Sequence, residues 1–162
     1  MNTPPAELVS AVMVYAARYG FDRVPVGLII AQSALETGYW SSDVFRNGNN
    51  AFGLRLASVR DTPAVGEYAG HARYLSLADS ALDYFDRQEA FSIPDTYDPA
   101  AYVAATVASG YATAGNYGPT WLQVYRERFD GFSPDVVAGT GATILALGLV
   151  ITALVAETFP RR

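Results

Sequence analysis

Residues 31–54 read AQSALETGYWSSDVFRNGNNAFGL, and this stretch decides how the rest of the chain is read. An acid, Glu36, stands at the end of an apolar helical run. Gly38-Tyr39-Trp40 follows at once, then an Asn/Gly-rich loop, and Asn49-Asn50-Ala51-Phe52-Gly53 closes it. A carboxyl group packed against aromatic rings is disfavoured in its charged form, so it keeps its proton toward neutral pH. The negative pole at a helix C-terminus opposes ionisation in the same sense. Cleavage of a glycosidic bond asks this of its general acid: a proton held until a leaving oxygen needs it.

Working outward, Thr3 and Pro4 are expected to cap and open a first helix carrying Leu8, Val12 and Tyr15, ended by Gly20. Pro25 opens a second helix with Leu28, Ile29, Gln32, Leu35 and Glu36. Residues 41–53 read as loop. Between 54 and 75, short strand-like pieces broken by Pro63, Gly66 and Gly70 predict a small β hairpin. Ser76 starts a helix to about Ala90. Asp98 and Pro99 start another that ends near Gly110, and a last helix runs from about Pro119 to Phe129. The expected fold class is α+β, mainly α: a helical domain with one hairpin.

Three separated motifs resemble the glucosaminidase family of peptidoglycan hydrolases, the flagellar and autolysin type with a lysozyme-like helical core. Gln32, Leu35, Glu36, Thr37, Gly38 and Tyr39 fit its Q-x-x-L-E-[ST]-G-[WY] segment. Asn49, Asn50, Phe52, Gly53 and Leu54 fit N-N-x-F-G-[IL]. Gly110-Tyr111-Ala112-Thr113 and Tyr117 fit a late G-Y-A-T-D-x-x-Y segment. The resemblance covers about residues 5–130. Two departures stand out: Ala114 replaces the family's Asp after G-Y-A-T, and His71-Ala72-Arg73-Tyr74 keeps only the tyrosine of an F-R-x-Y segment.

The resemblance implies cleavage of β-1,4 glycosidic bonds in peptidoglycan, with Glu36 as the acid. It implies a second acid on the hairpin, for which Glu67 in Glu67-Tyr68-Ala69-Gly70 is the candidate. Tyr111 is expected to line the cleft and bond the substrate's acetamido group. Attack at the sugar then comes either from water activated by Glu67 or from the acetamido oxygen itself. Trp40, Asn50, Phe52 and Tyr117 are the candidate substrate-binding residues. Each has a plainer role beside it: Glu36 as a helix-end carboxylate paired to an arginine, Glu67 as a solvated hairpin acid, Tyr111 as a core tyrosine, Trp40 and Phe52 as core, Asn50 as a tie within its loop. His71 and Arg73 read as surface residues. Asp43, Asn47 and Asn49 have calcium-like content but the wrong spacing for an EF-hand loop, so neither metal nor other cofactor is expected.

Composition bounds the partners. At 162 residues with formal net charge −5, the chain offers no basic face for duplex nucleic acid. It has no lysine, His71 is its histidine, and with no cysteine it has neither disulfides nor thiolate chemistry. The N-terminus lacks the basic and apolar regions of a secretory signal peptide.

The other end differs. From Val136 to Ala156 the chain reads VVAGTGATILALGLVITALVA without a charge, about the 20 residues that a membrane-spanning helix needs. A buried core helix is the alternative, disfavoured because the run has no polar face. The expected organisation is a lysozyme-like domain over 1–130, a linker over 131–135, a transmembrane helix over 136–156 and a short basic tail over 157–162. A lytic enzyme anchored by a single C-terminal span in the membrane of a bacteriophage particle fits this combination, with other virion proteins as partners. A bacterial inner-membrane enzyme is the rival placement. A lytic transglycosylase, or a non-catalytic peptidoglycan-binding or structural virion membrane protein, are the rival functions.

Overall fold

A computed structural model describes residues 2–133. The expected span at 136–156 lies outside the described residues, as do the basic tail and part of the linker. Among the described residues no helix is long and apolar enough to cross a membrane.

Among the described residues, six helices and one hairpin follow in chain order: α1 (Ala6–Tyr19), α2 (Val26–Glu36), α3 (Asp43–Gly48), β1 (Gly66–Tyr68), β2 (His71–Arg73), α4 (Leu77–Ala90), α5 (Pro99–Ala108) and α6 (Tyr117–Arg128). The architecture is the mainly helical α+β arrangement expected. Helix α2 is the central element. Leu28, Ile29, Ile30 and Ala31 are all fully buried, so it is apolar on every side. Helix α6 lies against it closely. A Cβ on Gly27 would sit 2.2 Å from the Phe129 carbonyl oxygen, and Trp121 Nε1 donates to the Leu28 carbonyl at 2.8 Å.

Local chemistry set several boundaries as expected. Ser76 caps α4 in a reciprocal capping box with Asp79. Asp98 caps α5, with Pro99 at its first position. Other boundaries moved. Helix α1 starts at Ala6 after Pro5, with no side-chain cap, because a residue that precedes a proline is pushed out of the helical region and Pro4 precedes Pro5. Within the expected loop 41–53, Ser42 caps a short helix by accepting from Phe45 N. Helix α6 begins two residues before Pro119; a proline in the first turn removes no intrahelical bond.

The hairpin is smaller than 54–75. Its register pairs Gly66 with Arg73, Glu67 with Ala72 and Tyr68 with His71. Ala69 and Gly70 turn it, both at positive φ, 49° and 77°, as a two-residue hairpin turn requires. Residues 54–65 form no strand. They are held instead by single contacts: Arg60 pairs with the fully buried carboxylate of Asp83 on α4, and Ala72 N donates to the Leu54 carbonyl.

Candidate active site

Helix α2 stops at the residue that carries the chemistry. After Glu36 the chain enters a left-handed turn, with Gly38, Tyr39 and Trp40 at φ 55°, 56° and 59°. Thr37 holds that turn: its hydroxyl donates to the Ser33 carbonyl at 2.6 Å and accepts from Trp40 N at 2.9 Å. Glu36 is thereby the last helical residue, at the negative pole of the helix end.

The second motif forms the wall against it. Asn50 is fully buried with its amide saturated. Its Nδ2 donates to the Leu54 and Ala72 carbonyls at 2.8 and 2.7 Å, and its Oδ1 accepts from Phe52 N and Leu54 N. The loop folds back at Gly53, φ 64°, where a Cβ would lie 2.8 Å from Glu36 Oε2. Only glycine both adopts this conformation cheaply and leaves room for the carboxyl.

From α6, Tyr117 donates its hydroxyl to Glu36 Oε1 and accepts from Gln32 Nε2 at 3.0 Å. The Tyr111 ring stacks on Tyr117 with centroids 6.0 Å apart, and its hydroxyl donates to the Phe52 carbonyl. The Arg87 guanidinium lies over the Tyr111 ring at 4.6 Å. These groups line an open cleft of about 740 Å³, with Glu36 on one wall, Tyr111, Tyr117, Arg87 and Phe91 on others, and residues 53–60 along its length. Among the described residues that line it, Glu36 carries the one carboxyl.

Burial raises the Glu36 carboxyl above the ordinary carboxylate range. The Tyr117 hydrogen bond and the His71 ring pull it down, but by less. The group therefore keeps its proton at a pH where exposed glutamates have lost theirs.

The candidate residues divide. Glu36, Tyr111 and Tyr117 converge on the cleft. Glu67 stands exposed on β1 and does not line it. Trp40 is 6% exposed, bonded through Nε1 to Ser33 Oγ and set edge-on to Phe129, so it offers no face to a sugar. Phe52 is fully buried and stacked on Tyr84 at 4.2 Å; only its carbonyl serves the site. Asn50 ties the loop, with no polar atom spare. Sequence reading missed Arg87, residues 55–60 and the proximity of His71 to Glu36, because all three come near the site through tertiary packing and belong to no local pattern. Among the described residues no group of His, Asp or Glu could hold a metal ion.

Comparison with known proteins bears on the family and the fold. The Glucosaminidase family, described as mannosyl-glycoprotein endo-beta-N-acetylglucosaminidase, matches residues 10–128. The chain is 32% identical over 63 residues to Protein bax of Escherichia coli (strain K12), a match that covers 39% of this chain and 23% of that protein. The chain thus spans less than a quarter of the length of this curated relative. A peptidoglycan hydrolase from Sphingomonas sp. A1 shares the fold, with TM-score 0.59 and 24% identity over 80% of this chain and 96% of that one. So does a chain from a type VI secretion system effector-immunity complex of Pseudomonas protegens, with TM-score 0.52 and 21% identity over 75% of this chain and 94% of that one.

Proposed function

The chain belongs to the glucosaminidase family, and on that premise we propose that it cleaves the β-1,4 bond after N-acetylglucosamine in peptidoglycan. The observation that carries this reading is the Glu36 carboxyl. It is desolvated, keeps its proton to higher pH than an exposed glutamate and faces an open cleft of about 740 Å³. The shared fold with a peptidoglycan hydrolase supports the choice of substrate.

Glu36 gives its proton to the glycosidic oxygen as the C1–O bond breaks. With no second carboxyl on the cleft wall among the described residues, the substrate's acetamido oxygen is the favoured nucleophile. It attacks C1 and closes an oxazolinium ring. Glu36, now a carboxylate, takes a proton from the water that opens the ring, and the acid is restored. Tyr111 and Tyr117 form the wall beside the reacting sugar. Glu67 as a base for water is the competing route, and it requires the hairpin to carry that side chain toward the cleft.

A lytic transglycosylase is the second reading, because it too needs one acid. Digestion of purified peptidoglycan separates the two: reducing-end products fit hydrolysis, anhydro ends fit the transglycosylase, and no release at all leaves a binding or structural protein. We place the enzyme on a membrane through residues 136–156, on the grounds of their uninterrupted apolar sequence. A phage particle with a membrane of its own is the setting we favour. Absence of the chain from purified particles would remove that setting without touching the chemistry.

A further inference from the structure

Behind the cleft, buried polar side chains form one continuous series. Arg87 Nη1 donates to Gln88 Oε1 at 2.9 Å. Gln88 Nε2 donates to the Tyr102 hydroxyl at 2.8 Å. Tyr102 and Tyr84 hydroxyls lie 2.9 Å apart, Tyr84 meets Gln32 Oε1 at 2.8 Å, and Gln32 Nε2 meets the Tyr117 hydroxyl, which meets Glu36 Oε1. Gln32, Tyr84, Gln88 and Tyr102 are all fully buried.

The direction of every bond follows from its start. A guanidinium has donors only, so Gln88 must present its oxygen to Arg87 and its nitrogen to Tyr102. The Tyr102 hydroxyl has accepted, and its single proton goes to Tyr84. Tyr84 passes its proton to Gln32 Oε1, which turns the Gln32 nitrogen toward Tyr117. Tyr117 is left with one use for its proton: the Glu36 oxygen it touches.

We infer that Gln32, Tyr84 and Tyr102 are positioning residues for the reaction, transmitting the fixed polarity of Arg87 to Glu36 so that Oε1 always accepts and the catalytic proton rides on Oε2. Oε2 is the oxygen that Gly53 accommodates at the cleft wall. This rests on the reading of Glu36 as the acid. The titratable groups that act on the Glu36 carboxyl are Tyr117 from α6, His71 from β2 and Tyr111 from the α5–α6 connection.

Tyr84→Phe in the full-length chain tests it. With the Tyr84 proton gone, the Gln32 amide is free to rotate and offer its oxygen to Tyr117, which then no longer donates to Glu36. Carboxyl-carbon NMR, with the Glu36 signal identified by its loss in Glu36→Gln, should show its titration midpoint moving to higher pH. Tyr117→Phe should move it the same way, and the double variant no further than Tyr117→Phe alone. Tyr102→Phe should move it in the same sense by less, and supplies the result if Tyr84→Phe does not fold. The basic limb of the kcat/KM profile should follow, with kcat down roughly tenfold and KM kept. A folded Tyr84→Phe whose midpoint stays at the wild-type position, or single-variant shifts that add, would overturn the inference. The NMR midpoint is read whether or not the protein turns over, so wild type inactive on peptidoglycan would count against the proposed function alone.

Discussion

At the scale of single residues, Glu36 makes two demands on experiment. Glu36→Gln keeps the shape and the acceptor for Tyr117 but has no acid proton, so turnover should fall by about 10²–10⁴-fold in a peptidoglycan clearing assay. The same substitution should stabilise the protein. A carboxyl that titrates higher folded than unfolded binds more protons in the native state across the window between the two values. Stability is therefore lost as pH rises from the ordinary value of 4.5 through the raised one, and it stays lower above. Thermal unfolding should show Glu36→Gln with the higher Tm at pH 7, and the gap should close below pH 4.5. Glu67→Gln tests the other acid. Exposed and outside the cleft lining, it should cost little activity, and a thiazoline analogue of the sugar should inhibit. A loss as large as that of Glu36→Gln, with no thiazoline inhibition, would favour Glu67 as the base. Glu36 was legible in the sequence because its context is local, a helix end followed by Gly38. The burial of Trp40 and Phe52 was not, because an aromatic side chain in a loop looks the same in sequence whether it faces a sugar or Phe129 and Tyr84.

At the scale of elements, short-range chemistry explains what sequence reading placed well. Ser76 and Asp98 each sit one residue before a helix, and each bonds the backbone it was expected to cap. Residues 54–65 show the opposite. Their apolar residues resembled strands, yet the segment adds no strand to the hairpin: it meets β2 through Ala72 N on the Leu54 carbonyl and Val65 N on the Arg73 carbonyl, and Arg60 ties it to Asp83, a contact across 23 residues. No local rule anticipates that. The α2–α6 contact is likewise a tertiary fact with a local signature, a glycine inside a helix. Gly27→Ala would force a methyl group onto the Phe129 carbonyl, part of the backbone that cannot rotate away. Chemical denaturation should show a cost of about 1–3 kcal/mol, as for other overpacked sites. Ser76→Ala, which removes a cap and leaves packing alone, should cost about 1 kcal/mol.

At the scale of the whole molecule, the domain and the apolar segment beyond it are expected to be separable. All the elements of the fold described above end by Arg128. A chain cut after Phe132 should therefore be soluble and should keep the activity of the full chain, while the full chain should fractionate with lipid and resist carbonate extraction. A full chain soluble without detergent, together with an unfolded truncation, would reassign residues 136–156 to the core. The site within the domain is assembled from distant parts: the acid and its tyrosine partner lie 81 residues apart. During synthesis at about 5–20 residues per second, α2 leaves the ribosome some 4–16 s before α6 does. Until then Tyr117 is unavailable, the far wall of the cleft does not exist, and the Glu36 carboxyl is an ordinary solvated acid. The acid site is thus completed late, and the environment that desolvates Glu36 exists only once the last of the described helices has emerged.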